Sequence, residues 1–128
     1  MEKTRKQKSP IVKIQELIWQ ECRRITKTRY GNSCYTCNKK NLSGSSWQTG
    51  HIIPKKICHH LKYDLRILRP QCYNCNINLG GNGAIGIYKM IQEHSIEFVD
   101  EIFEDLFYKK VKVDLEFYTK MLEELKKI

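Results

Sequence analysis

Acidic side chains are scarce in the first part of this chain. Residues 1–74 contain 4 Asp and Glu against 16 Lys and Arg, a net charge of +12, whereas residues 75–128 contain 10 against 7, a net charge of −3. Asp64 is the only carboxylate between Glu21 and Glu93. A basic first part followed by an acidic second part predicts one face for a polyanionic partner, and nucleic acid is the first candidate.

Long hydrophobic runs are also missing. No stretch approaches the roughly 20 apolar residues of a transmembrane helix, and no apolar region of a signal peptide follows the charged first ten residues. We therefore expect an intracellular, cytoplasmic protein without membrane contact. In that compartment, paired cysteines bind metal more often than they form disulfides.

The 128 residues predict a single α+β domain, residues 1–128, with a modest core. Apolar residues recur at helical spacing after Pro10, and Gly31-Asn32 ends that pattern. Helical patterns return after Ala84, after Ser95 and after Asp114. The predicted parts are a basic arm (1–9), an N-terminal helix (10–30), a middle module (31–93) and a C-terminal helical segment (94–128).

Two Cys-x-x-Cys pairs carry the clearest metal signal. They are Cys34 with Cys37 and Cys72 with Cys75, separated by 34 residues. Four thiolates satisfy a tetrahedral Zn²⁺ and leave no position for a substrate water, so the predicted zinc ion is structural. The remaining cysteines, Cys22 and Cys58, are interpreted as buried or idle thiols.

Three motifs follow one another through the middle of the chain. They are Gly50 to Pro54 (GHIIP), Leu68 to Asn76 (LRPQCYNCN) and Gly81-Asn82. Their order and spacing resemble the HNH, or ββα-metal, endonucleases, and within that superfamily they look most like the phage NinG/Rap recombination family. The resemblance covers residues 34 to about 90.

This resemblance implies a small zinc-stapled ββα-metal (HNH-like) module. It would have a strand carrying His51, a second strand near residues 65–69 and a helix that begins around Asn76 or soon after. It also implies a metal-dependent DNA endonuclease that acts on branched recombination intermediates, of the D-loop or Holliday junction type. A phage or prophage protein in a bacterial host is the implied source.

Site residues follow from the resemblance and from their own chemistry. His51 matches the general-base histidine, and a neutral imidazole can take a proton from water at pH 7. Asn76 matches a metal-ligand position, and its amide oxygen suits Mg²⁺ or Mn²⁺. Arg66 and Arg69 are candidates to hold phosphate or to stabilise the transition state.

Two positions depart from the HNH pattern. Gly50 stands where many HNH enzymes have an Asp or His metal ligand, and Ile67 stands where an asparagine usually braces the hairpin. Asp64 is therefore the first candidate for the missing ligand of the catalytic ion, with a turn or cap aspartate as the equal alternative. Asn82 is a second candidate, although Gly-Asn-Gly is also ordinary turn chemistry.

Cations elsewhere are candidates for the DNA interface, although those near the end of the N-terminal helix also complement its dipole and those of the basic arm also suit a solvated segment. They are Lys3, Arg5, Lys6, Arg23, Arg24, Lys27, Lys55, Lys56 and Arg69. A different class of function fits the same cysteines and charge, namely a zinc-ribbon-like nucleic-acid-binding module without activity. A scaffold subunit of a larger assembly is a third possibility, and the acidic C-terminal helices are a candidate homodimer or partner face that an ordinary core explains equally well.

Overall fold

The computed structural model describes residues 7–57 and 59–128. The elements in chain order are α1 (Pro10–Tyr30), β1 (Gln48–His51), β2 (Leu68–Gln71), α2 (Gly83–Glu93), α3 (Ile96–Tyr108) and α4 (Leu115–Lys126). Short 3-10 turns span Gly44–Ser46 and Leu65–Ile67, and a π-helical turn spans Asn74–Asn78. Two antiparallel strands and several helices confirm the α+β class. Within the described ranges, no helix combines the length and apolar character that a bilayer crossing requires.

Helix α1 begins and ends at the residues that its sequence predicts. The Ser9 hydroxyl accepts a hydrogen bond from the backbone N–H of Val12, Pro10 occupies the first turn, and Gly31 closes the helix with a φ of 74°. One face of α1 packs chiefly against α4. The main hydrophobic core therefore joins the N-terminal helix to the C-terminal segment. Its buried residues on these two helices are Ile18, Cys22, Ile25, Tyr118, Leu122 and Leu125.

The second strand begins later than its apolar sequence suggests. β1 pairs with β2 so that Gln48 lies opposite Gln71 and His51 lies opposite Leu68. Residues 65–67 form a 3-10 turn instead, because the Asp64 carboxylate accepts the backbone N–H of Arg66 and caps that turn. Asp64 is thus a capping residue, as the alternative interpretation of it proposed.

The helix expected near Asn76 begins at Gly83 instead. Asn74–Asn78 makes a single π-helical turn, and the chain then passes through Gly80 and Gly81, both at positive φ. These backbone angles interrupt a helix but suit glycine. A β-carbon on Gly81 would lie 3.0 Å from the carbonyl oxygen of His51, so the small residue also lets this loop pack against β1.

Candidate functional site

The four paired cysteines come together in one cluster. The sulfur atoms of Cys34, Cys37, Cys72 and Cys75 all lie within 4.8 Å of one another. The sulfurs of Cys37 and Cys72 are 3.7 Å apart, close to the roughly 3.8 Å edge of a tetrahedron with Zn–S bonds of about 2.3 Å. The donor set and its geometry therefore fit a structural zinc ion. We call these four residues the sulfur cluster.

Polar groups around the sulfur cluster orient its ligands. The Thr36 hydroxyl lies 3.4 Å from the sulfur of Cys34, and the Asn82 amide donates to the sulfur of Cys75 at 3.8 Å. Burial opposes ionisation of the Cys34 thiol, but hydrogen bonds from Thr36 and nearby backbone N–H groups outweigh it and lower its pKa to about 6. These contacts place Asn82 beside the structural cluster, which corrects its assignment to the catalytic ion.

Gly50 is glycine because the side chain of Gln71 occupies the space beside it. A β-carbon at position 50 would lie 1.7 Å from the Oε1 atom of Gln71. Gln71 is fully buried and donates to Thr36 and to the carbonyl of Gly81. In this structure, a metal-binding side chain at position 50 is therefore sterically excluded.

His51 and Asn76 line the same cavity, which we call the His51 cavity. Its volume is about 540 Å³. β1 presents Thr49 and His51 on one face because alternate residues of a strand point the same way. The π-helical turn supplies Asn76, and the segment after β1 supplies Lys55 and Lys56. The predicted histidine, amide and lysine side chains therefore line one cavity, although His51 and Asn76 are far apart in the sequence.

The imidazole of His51 is fixed by two contacts. Its Nε2 atom lies 2.7 Å from the carbonyl oxygen of Lys62. A carbonyl only accepts, so Nε2 carries the hydrogen and Nδ1 is the basic nitrogen of the neutral ring. The indole of Trp19 stacks on the ring with centroids 5.4 Å apart and planes 1° from parallel.

The environment keeps His51 neutral. Burial lowers the pKa of His51 below its usual value of 6.5, and the charges of Lys55 and Lys62 lower it further, while the hydrogen bond to the Lys62 carbonyl acts in the opposite direction. A histidine whose pKa lies below 6.5 is mainly unprotonated at pH 7. It can therefore accept a proton from a water molecule.

Two more polar side chains of the His51 cavity are poised for a ligand. The hydroxyl of Thr49 is buried and has no hydrogen-bond partner. The amide nitrogen of Asn76 donates to Gln48 at 2.8 Å, and this contact leaves its carbonyl oxygen as an acceptor. Buried hydroxyls are normally satisfied, so the Thr49 hydroxyl suits a hydrogen bond with a bound group or water.

A groove lined by several cations extends from the His51 cavity. A neighbouring cavity of about 430 Å³ shares Trp19, Thr49 and Asn76 with it, and a third cavity of about 260 Å³ shares Arg23 with the second. The cations along the three cavities are Lys55, Lys56, Arg23, Arg24 and Lys27. Among the described residues that line them, none is Asp or Glu. We call these connected cavities the basic groove.

The structure gives Arg66 and Asp64 structural roles. The Arg66 guanidinium lies 2.8 Å from carboxylate oxygens of both Asp64 and Asp105, and neither Arg66 nor Asp64 lines the His51 cavity. The hydrogen bond and charge of Arg66 lower the pKa of Asp105. This ion-pair chain ties the turn before β2 to α3. It corrects the assignments of Arg66 to catalysis and of Asp64 to the catalytic metal.

Arg69 is corrected in the same way, because its side chain is 1% exposed. Its guanidinium lies over the rings of Tyr30 and Tyr35, at 4.5 and 5.1 Å, and donates to the carbonyls of Leu65, Arg66 and Leu68. Glu93 is its nearest carboxylate, at 3.9 Å. A cation enclosed by these groups cannot reach a DNA backbone.

The other predicted DNA contacts divide into three sets. Arg23, Lys27, Lys55 and Lys56 are exposed and line the basic groove. Arg24 lines the end of the groove, but it also donates to Glu21 and to the carbonyls of Leu125 and Ile128, so it helps to hold the end of α4. Lys3, Arg5 and Lys6 lie outside the described residues, as does Cys58.

The His51 cavity offers little to a divalent cation by itself. Its described lining contains one suitable amide oxygen, that of Asn76, together with two lysines. Mg²⁺ in phosphoryl-transfer sites is commonly held by few protein oxygens together with water and substrate phosphate. The described lining therefore supplies a single side-chain amide ligand, Asn76, and no carboxylate to an ion that would arrive with a phosphate.

Sequence reasoning missed Trp19 and the Lys62 carbonyl. Val12, Gln15, Trp19 and Arg23 recur at helical spacing, so α1 carries a second stripe beside its apolar one. That stripe could have predicted that Trp19 lies on the same face of α1 as Arg23. Its stacking on His51 depends on a contact across 32 residues, which no local pattern reveals.

Comparison of the chain with protein-family models, with curated proteins and with solved structures gives no match.

Proposed function

We propose that this protein is a DNA endonuclease that hydrolyses phosphodiester bonds with His51 as the general base. One observation carries the proposal: a neutral imidazole, anchored through Nε2, lines the same cavity as Asn76. The HNH-like resemblance of residues 34 to about 90 supports the same assignment. The substrate class proposed from that resemblance is branched recombination DNA.

Several residues of the His51 cavity have separate proposed roles in hydrolysis. His51 takes a proton from the attacking water at Nδ1, which contributes about 10²–10⁴-fold to the rate. Lys55 and Lys56 attract the phosphate, and the unpaired Thr49 hydroxyl donates to one of its oxygens. Asn76 would hold a Mg²⁺ or Mn²⁺ ion, and such an ion would supply charge stabilisation to the phosphate.

The basic groove gives the nucleic acid a path to this cavity. Four exposed cations, with no carboxylate among the described lining residues, attract a phosphate backbone. Each cation that neutralises a phosphate adds about one unit to the magnitude of the slope of the logarithm of DNA affinity against the logarithm of salt concentration. We therefore propose that the strand to be cut follows α1 from Lys27 towards His51.

One observation favours a different class of function. The His51 cavity has no carboxylate among its described lining residues, and a basic groove serves binding as well as cleavage. A zinc-containing nucleic-acid-binding protein without activity is therefore the second candidate.

A cleavage comparison separates the two candidates. Linear, nicked and four-way DNA are incubated with the zinc-loaded protein with and without Mg²⁺ or Mn²⁺. The ion is omitted in the control, because a chelator would also remove zinc. We expect His51→Ala to lose at least about 100-fold in cleavage rate and to retain DNA binding, whereas the exposed His59→Ala keeps full activity. Binding without cleavage by the wild-type protein would support the second candidate and overturn the first.

A further inference from the structure

A smaller cavity adjoins the His51 cavity, and four of its lining residues have no role in the hydrolysis proposed above. Its volume is about 330 Å³, and it shares Trp19, His51 and Lys55 with its neighbour. The other lining residues are Val12, Gln15, Glu16 and Tyr63. A group bound here would lie directly beside a phosphate held at His51.

The lining of this second cavity does not suit a phosphate. The Trp19 and Tyr63 rings lie 6.2 Å apart between centroids and are tilted by 56°, and Val12 adds an aliphatic wall. Glu16 contributes a carboxylate that offsets the positive charge of Lys55 in the same lining. Aromatic and aliphatic walls favour a flat, uncharged group that can stack.

Two oxygen acceptors remain available at this cavity. The amide nitrogen of Gln15 donates to the Tyr118 hydroxyl at 3.1 Å, and the Gln15 carbonyl oxygen is left as an acceptor. The side chain of Glu16 is 49% exposed and pairs with Lys8. Exposed ion pairs of this kind contribute little, so Glu16 can exchange that partner for a ligand. Acceptors of this kind select a base that carries an amino group.

We propose that this cavity receives one unstacked nucleobase of the strand that passes His51. The inference rests on the proposed nuclease function and specifies its substrate. Taking a base out of a duplex costs free energy, and the cost is lowest for an unpaired base. The protein would therefore favour DNA that has an unpaired nucleotide with an amino group next to the bond that is cut.

Three labelled duplexes test the proposal by fluorescence anisotropy without added Mg²⁺. One is fully paired, one has a single bulged adenosine, and one has the same bulge as an abasic site, so the last two differ only in the base. We expect the bulged adenosine to bind at least about five-fold more tightly than the abasic bulge, because a base stacks on aromatic side chains. Equal affinities for these two duplexes would overturn the proposal.

Matched variants test whether the preference for the bulged base depends on this cavity. Val12 is 39% exposed, so Val12→Trp can fill the cavity from its rim, and Leu17→Trp adds the same ring at a 47% exposed position of α1 that does not line the cavity. We expect Val12→Trp to lose the preference for the base and Leu17→Trp to keep it. A preference that survives in a folded Val12→Trp protein would contradict the assignment. If Val12→Trp does not fold, Glu16→Ala takes its place, and it should reduce the preference for a bulged adenosine over a bulged thymidine.

Cleavage of the same duplexes separates this inference from the proposed function. Cleavage without any preference for the bulged base would overturn the base-binding cavity and leave the nuclease intact. A preference for the bulged base without cleavage by the Mg²⁺-supplemented protein would overturn the nuclease and leave the cavity.

Discussion

At the scale of single residues, the proposed chemistry depends on how His51 is held. Its Nε2 atom donates to the Lys62 carbonyl, and its ring lies against Trp19. The first contact selects the tautomer, and the second covers the ring and limits its contact with water. Burial is also the largest cause of the lowered pKa of His51. The same surroundings therefore fix the position of the His51 ring and lower its pKa.

Replacing Trp19 should change both the pKa and the orientation of the His51 ring. In Trp19→Ala the His51 ring gains contact with water, so its pKa should rise towards the usual value, whereas Trp19→Phe should retain most of the shift. Cleavage at neutral pH should fall about 10- to 100-fold as the ring loses its fixed orientation. NMR titration of the His51 ring checks the first effect without relying on activity. An unchanged pKa in a folded Trp19→Ala protein would show that stacking does not set it.

Single residues also show what the sequence can and cannot predict. The sulfur cluster was predictable because thiolate ligands follow a short fixed spacing. Arg66 and Arg69 were misassigned because a sequence shows the charges but not the ion pairs of Arg66 or the burial of Arg69. Gly50 looked like a lost ligand, and only the position of Gln71 explains it.

At the scale of elements, α1 serves both the core and the groove. One stripe buries Ile18, Cys22 and Ile25, while the neighbouring stripe presents Trp19 and Arg23 to the basic groove. The side chains of Ser95 and Asp114 cap α3 and α4 by accepting backbone N–H groups. The helices themselves were predictable from their apolar periodicity. The late start of β2 was not, because it depends on capping by Asp64.

Arg69 connects two of these elements. It belongs to β2, and its guanidinium lies over Tyr30 at the end of α1. Arg69→Met should lower the free energy of unfolding by about 2 kcal/mol, since it removes two cation–π contacts and three hydrogen bonds. Arg23→Met, in the basic groove, should leave stability almost unchanged and weaken DNA binding. Urea unfolding of both variants measures this difference in stability. An Arg69→Met protein of unchanged stability whose DNA binding depends less on salt would contradict the structural role of Arg69.

At the scale of the whole molecule, the sulfur cluster joins the two sides of the hairpin. Cys34 and Cys37 precede β1, and Cys72 and Cys75 follow β2, so one ion closes a loop through the site. The same turn that carries Cys75 carries Asn76, and the following loop packs against His51. Zinc should therefore set the shape of the His51 cavity as well as the stability of the chain.

Removal of zinc should unfold this part of the protein. Zinc binding to four thiolates contributes about 10 kcal/mol or more to folding, which is comparable to the total stability of a domain this size. We expect one zinc per chain by elemental analysis, and a large fall in melting temperature with a zinc chelator. Returning excess Zn²⁺ should restore the folded state, and Cys72→Ser should behave like the chelated protein. A melting temperature that is insensitive to the chelator would contradict a structural role for the ion.

The pH dependence of cleavage tests the central claim, that neutral His51 is the base, most directly. A general base works only when unprotonated, so kcat/KM should be level at high pH and fall as the pH decreases, with a midpoint below the usual histidine value of 6.5, because the pKa of His51 is lowered. The midpoint of that decline should coincide with the pKa of the His51 ring measured by NMR in the free protein. A decline at a pH that the His51 titration does not share, or cleavage that persists unchanged in His51→Ala, would contradict the account.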